Sequence, residues 1–247
     1  MNKKVDKIDI FEDNPLDIID IRSATPEEMA EKKDTEKPFN ISDTIKREVV
    51  GTLKDPLELA TAILKDNINM EHTINDELSK NKAYKNAQSP KTPKSILKYQ
   101  KSNNKKLQDK VNEEIKEHGV DLAKGQVLFH GGLPNTKVGD TIETTDTLST
   151  TLNPHVAISN ALHNGKAEEE GELNLNILTT KDEDIKAFIF NNRTKHSNEK
   201  EVLLENNLQL TVKNKIKVRE MKVIGKRGKE KIVPMYITEH EVSKKSN

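Results

Sequence analysis

The chain has no cysteine, which excludes disulfides, thiolate metal sites and a cysteine nucleophile and leaves the redox compartment open. Aromatic residues make up 3% of its 247 residues, and hydrophobic residues 32%, against about 45–50% in ordinary globular chains. One compact domain accompanied by a solvated portion is expected, rather than a single core drawn from the whole length. Neither sign of charge dominates: 41 Lys and Arg balance 41 Asp and Glu. No global field therefore argues for nucleic acid or a membrane surface. Apolar runs all fall short of the roughly 20 residues that span a bilayer. The opening MNKKVDKIDIFED lacks the apolar segment of a secretory signal, so synthesis in the cytoplasm is expected, with later export left open.

What is present changes along the chain. Residues 1–41 are polar, with acidic clusters and short apolar bursts, and read as a flexible tail. Residues 42–119 read as a helical region. Asp55-Pro56 offers a cap and an N1 proline, and Leu57, Ala60, Ile63 and Leu64 follow at helical spacing. Between Leu78 and Gln108 stand nine lysines and no acid, interrupted by Ser89-Pro90 and Thr92-Pro93. This stretch reads as a linker opening into a helix from about Lys94 to His118, with Gly119 as its stop. The lysine-rich 80–106 segment also leaves open a contact with an acidic partner or nucleic acid, though no aromatics interleave it.

After Gly125 short apolar runs separated by turn signals take over. LNLNI (173–177) and LQLTV (208–212) alternate with the period of half-buried strands. One helix interrupts them, capped by Asn153, begun by Pro154 and stopped by Gly165. GKRGKE (225–230) reads as the turn of a final hairpin, and 168–170 as a solvated loop. Helices upstream and strands downstream make the class α+β rather than doubly wound. Residues 120–240 form the expected core and 241–247 a tail.

Three pieces carry chemistry. The first is Val127-Leu128-Phe129-His130-Gly131-Gly132, a strand ending in a polar residue and two glycines that admit a ligand close to the main chain. The second is Leu148-Ser149-Thr150-Thr151, whose hydroxyls can hold neighbouring groups at a strand end. The third is Asn198-Glu199-Lys200-Glu201-Val202-Leu203-Leu204. Read as the start of a strand, it places Glu199 and Glu201 on one face roughly 6–7 Å apart, with Lys200 facing away. Paired carboxylates raise each other's proton affinity, which suits them to chemistry. Taken singly, each piece has an ordinary reading as plain sheet or turn.

In this order, and with EKEVLL and the STT-then-helix arrangement as its most specific parts, the pattern resembles the ADP-ribosyltransferase superfamily over about residues 120–240. The branch it is closest to uses an arginine, a serine and a glutamate, and is represented among phage-encoded transferases and bacterial toxins. The resemblance implies a mixed, mostly antiparallel two-sheet core with an N-terminal helical lobe packed on it. It implies NAD as co-substrate, no metal, and transfer of ADP-ribose to a host protein, with arginine as the acceptor. It makes Glu201 the catalytic carboxylate, Glu199 the group that orients or deprotonates the acceptor, and Ser149 the residue that positions NAD and Glu201. His130, Gly131, Ser149, Thr150 and Thr151 fall at NAD-binding positions. Residues 191–198 would form the acceptor loop, with Arg193 available to phosphate. Delivery into a host cell or packaging in a virion would follow from the same likeness.

His130 stands where that branch has arginine, and a histidine is mostly neutral at pH 7. The branch that does use histidine there also needs a tyrosine before its glutamate, and no tyrosine occurs between Tyr99 and Tyr236. A weakened or inactive NAD- or partner-binding module on the same fold, and a nucleic-acid-interacting protein, are the competing readings. His155, His163 and His196 do not show metal-ligand spacing with nearby acids.

Overall fold

A computed structural model describes residues 3–12, 15–28, 45–102, 105–191, 199–225, 228 and 230–245. The chain divides into two compact units, Phe11–Asp55 and the remainder, Met1–Ile10 with Pro56–Asn247.

The N-terminal residues are not a featureless tail. Strand β1 (Lys3–Lys4) runs parallel to Val120–Asp121. The Val5 N–H continues the ladder to the Asp121 carbonyl at 3.1 Å. Ile8 is buried, and its main chain is clamped by the Gln126 amide, which accepts from the Ile8 N–H at 2.7 Å and donates to its carbonyl at 3.0 Å. The smaller unit is an antiparallel ribbon of β2 (Leu16–Ser23) and β3 (Ile45–Leu53). Residues 45–53, expected to be helical, are thus a strand: IKREVVGTL is rich in β-branched side chains that fit a pleated surface.

Five helices follow: α1 (Pro56–Asp66), α2 (Glu71–Lys80), α3 (Lys82–Ala87), α4 (Lys94–Ser102) and α5 (Gln108–His118). The helix expected from about Lys94 to His118 is present as two helices, α4 and α5, while Lys82–Ala87, expected as linker, is itself helix α3. Tyr84, Ala87, Ile96 and Tyr99 supply the buried side of the lysine-rich stretch, while Lys82, Lys85, Lys94, Lys98 and Lys101 are exposed. Ile96, Tyr99, Val111 and Ile115 pack against Phe188, Phe190 and Leu203, which seats α4 and α5 on the strand-rich half.

That half comprises β4 (Val120–Asp121), β5 (Val127–Gly131), β6 (Thr141–Glu143), β7 (Leu148–Thr151), helices α6 (Pro154–Leu162) and α7 (Lys166–Glu170), then β8 (Leu173–Thr180), β9 (Lys186–Ile189), β10 (Glu201–Leu204), β11 (Leu208–Ile224) and β12 (Glu230–Lys244). Residues 168–170 belong to α7, with Ala167 buried, rather than to a loop. The 241–247 tail also needs correction, because β12 runs to Lys244 and buries Val242. The sheet order is β1-β4-β9-β10-β7-β5-β8-β12-β11-β6. Only β1–β4 and β8–β12 are parallel, so the fold is α+β with a mixed, mostly antiparallel sheet. Among the described residues no helix is long and apolar enough to cross a membrane.

One seam in the sheet positions the site. Strands β7 and β10 share four residue pairs, and β5 and β8 share five. Strands β5 and β7 meet only at Phe129 and Thr151. The sheet opens beyond that single pair, and α6, capped through the Asn153 side chain to the His155 N–H, lies along the opening.

Candidate active site

Glu201 begins β10 opposite Thr151 on β7. Its carboxylate is held from two sides. Ser149, two residues along β7, donates its hydroxyl to Oε1 at 2.7 Å. Gln100, on α4, donates its amide to Oε2 at 2.6 Å. The strand pairing makes the first contact a cross-strand diagonal, within reach of a side chain as short as serine once it leans along the strand.

The neighbouring hydroxyls fix the backbone around Glu201. Thr150 Oγ1 donates to the Val202 carbonyl at 2.7 Å, and Thr151 Oγ1 donates to the Glu199 carbonyl at 2.6 Å. Glu199 and Lys200 precede the strand rather than lying in it, and Lys200 has φ 46°. The same-face geometry expected of a continuous strand therefore does not apply. Lys200 does not face away into water either. Its side chain is buried, with Nζ 5.6 Å from the Tyr84 ring centre, and burial lowers its pKa. Once this residue takes a left-handed conformation, alternation across the strand is broken.

His130 ends β5 on the other side of the seam. Its Nδ1 lies 2.6 Å from the Ser149 carbonyl, which can only accept, so the ring carries its proton on Nδ1 and presents Nε2 unprotonated. Burial lowers the pKa of this imidazole; the Ser149 carbonyl opposes that shift, and the charge of Lys166 adds to it. A neutral ring is the result. Asn176 donates to the His130 carbonyl at 3.1 Å and its own Oδ1 lies 2.9 Å from His240 Nε2, so the strand end is braced from beneath.

His130, Gly131, Ser149, Thr150 and Thr151 line one cleft of about 260 Å³, shared with Tyr99, Phe129, Asn160 and Lys166. Five of the residues read from the sequence as binding positions thus come together, and Ser149 joins Glu201 to them. Arg193 and most of the expected acceptor loop, 192–198, lie outside the described residues. Gly131 has a packing role beside its place in the cleft. A Cβ there would lie 2.0 Å from the Ala157 carbonyl oxygen, so its absence lets α6 approach β5.

Sequence reasoning missed Tyr99, Gln100, Asn160 and Lys166. The spacing of Ile96 and Tyr99 carried a signal of a buried helical face; a neutral amide beside it carried none. Tyr99 is tied in place through Gln108, whose Nε2 donates to the phenol at 3.2 Å and whose Oε1 accepts from the Thr147 N–H at the same distance. Burial raises the pKa of the Tyr99 phenol.

No protein-family model matches the chain, and no curated protein matches it by sequence. Similar solved structures include the ADP-ribosyltransferase Vis bound to an inhibitor, at 15% identity and TM-score 0.41, covering 75% of this chain and 73% of that one; Vis is a toxin of Vibrio splendidus. Plx2a, an ADP-ribosyltransferase toxin of Paenibacillus larvae, aligns at 12% identity and TM-score 0.40, over 70% of this chain and 96% of that one. The enzymatic component C2-I of the Clostridium botulinum C2 toxin aligns at 12% identity and TM-score 0.37, over 76% of this chain and 46% of that one.

Proposed function

We propose that this chain is a mono-ADP-ribosyltransferase that cleaves the nicotinamide–ribose bond of NAD and transfers ADP-ribose to a protein, with arginine as the acceptor. The observation that carries the reading is the Glu201 carboxylate, fixed by Ser149 and Gln100 beside a cleft that His130 and Ser149 line.

When the bond from ribose C1′ to the nicotinamide nitrogen breaks, the electron pair leaves with nicotinamide and positive charge develops on the sugar. A carboxylate held in place stabilises that charge without reorganising during the reaction, and such preorganised electrostatics is commonly the largest catalytic contribution. Ser149 and Gln100 are neutral donors, so these two contacts orient the group without adding a positive charge beside it. The unprotonated Nε2 of His130 suits acceptance of a hydroxyl hydrogen, such as one from a ribose. The acceptor nitrogen then bonds to C1′ and loses a proton, the role assigned to Glu199. NAD is a co-substrate in this scheme, and no metal takes part.

Incubation with labelled NAD and host lysate tests the reading. Wild type is expected to label protein, and Glu201→Gln to lose at least about two orders of magnitude in rate. Equal labelling by the two would remove Glu201 from the mechanism. Glu199→Gln is expected to reduce transfer to arginine more than NAD hydrolysis; equal losses would end that division of roles.

A further inference from the structure

The carboxyl plane of a glutamate is its least constrained torsion, because the terminal sp³–sp² rotation has broad wells. A single donor at one oxygen leaves the other free to swing. In this chain a donor reaches each oxygen, and the two come from different elements: Ser149 from β7 reaches Oε1, and Gln100 from α4 reaches Oε2. The helix carrying Gln100 is itself set against the strand carrying Glu201. Ile96 and Tyr99 of α4 belong to the same buried cluster as Leu203 of β10, and Tyr99 is linked through Gln108 to Thr147, the residue before β7. Gln100 is therefore held relative to both strands that frame Glu201.

From this we infer that Gln100 is a positioning residue: it fixes the plane of the Glu201 carboxylate and so sets the rate of glycosidic bond cleavage. The inference rests on the transferase reading above. An amide suits the role because it donates without carrying charge. A lysine or arginine in its place would neutralise the carboxylate that the developing cation needs. Each carboxylate oxygen can accept more than one hydrogen bond, so the Gln100 contact leaves Glu201 able to receive a substrate hydroxyl as well.

The test is steady-state NAD cleavage by the full chain carrying Gln100→Met, which keeps the length of the side chain and removes the donor. The expected result is a kcat lowered about tenfold or more, the scale of a hydrogen bond to a charged group, with KM for NAD unchanged and Tm within about 2 °C of wild type. Combining the substitution with Glu201→Gln, assayed at high enzyme concentration with labelled NAD, separates positioning from general support of the fold. If Gln100 acts through the carboxylate, its loss has no further effect once the carboxylate is gone. Should Gln100→Met lower Tm, Gln100→Asn, which keeps the amide but stops one methylene short, takes its place with the same expectations. An unchanged kcat, or a fall that persists in the Glu201→Gln background, overturns the inference while leaving the transferase reading intact. A wild-type chain that does not cleave NAD overturns both.

Discussion

Ser149 serves two partners at once. Its hydroxyl donates to Glu201, and its carbonyl receives the Nδ1–H of His130, so one residue couples the two sides of the seam. Replacing the hydroxyl by Ser149→Ala removes a hydrogen bond to a charged acceptor, a type of contact that contributes about 1.5–3 kcal/mol. NAD cleavage is expected to slow about tenfold or more, with the His130 contact retained because it uses the main chain; kcat measured beside the Tm checks both halves. His130→Phe should do the reverse, leaving Glu201 held while the Ser149 carbonyl loses its donor, and a loss confined to Tm with kcat unchanged would remove His130 from substrate contact. Ser149 and Glu201 were legible in the sequence because each sits in a short motif whose spacing constrains geometry. Gln100 was not: it meets Glu201 across 101 positions, and nothing local to a glutamine in a lysine-rich helix marks it. Lys200 was misread for a related reason, since alternation assumes extended backbone and its left-handed φ is set by the turn.

At the scale of elements, the cleft depends on how closely α6 lies against β5. Gly131 makes that approach possible, because a methyl group would sit 2.0 Å from the Ala157 carbonyl oxygen and 2.8 Å from the Ala161 nitrogen. Both obstacles are helix backbone, which cannot swing aside as a side chain would. Gly131→Ala is therefore expected to push α6 outward and destabilise the fold by about 1–3 kcal/mol, the usual cost of overfilling a packed site. Thermal unfolding checks the cost, and loss of NAD affinity out of proportion to Tm would show that the cleft has changed shape. Where an element announces itself through local chemistry, the sequence revealed it: Asn153-Pro154 marked the start of α6, and LNLNI marked β8. Elements made by distant pairing stayed hidden. Strand β1 is two residues long and exists because its partner lies at Val120–Asp121, and no local periodicity can express that. Helix α3 was obscured by composition, since its buried positions, Tyr84 and Ala87, stand among lysines, whereas the helix expected from Lys94 is present as α4 and α5.

Across the larger unit, Met1–Ile10 with Pro56–Asn247, three imidazoles are built to remain neutral. His130 donates from Nδ1 with Nε2 unprotonated. His155 accepts the Met70 N–H on Nε2 at 3.0 Å, so a proton there would displace a backbone hydrogen bond. His240 is buried with no hydrogen-bond partner for Nδ1 among the described residues, and Asn176 takes its Nε2–H. Burial lowers all three pKa values, that of His240 to about 4, with the charge of His130 once protonated and that of Lys215 adding to the shift. In the unfolded chain each ring titrates near 6.5. Between about pH 6.5 and pH 4 the unfolded state therefore binds more protons than the folded one, and folding loses stability as the pH falls. For His240 alone the full loss is about 3 kcal/mol. Thermal unfolding at pH 7.5, 5.5 and 4.5 is expected to show Tm dropping through this window. His240→Phe should lower Tm at pH 7.5, because Asn176 Oδ1 loses its donor, yet should flatten the decline toward pH 4.5. A variant that declines as steeply as wild type would mean that His240 does not carry the acid sensitivity, and that the strand beneath His130 tolerates a charged imidazole after all.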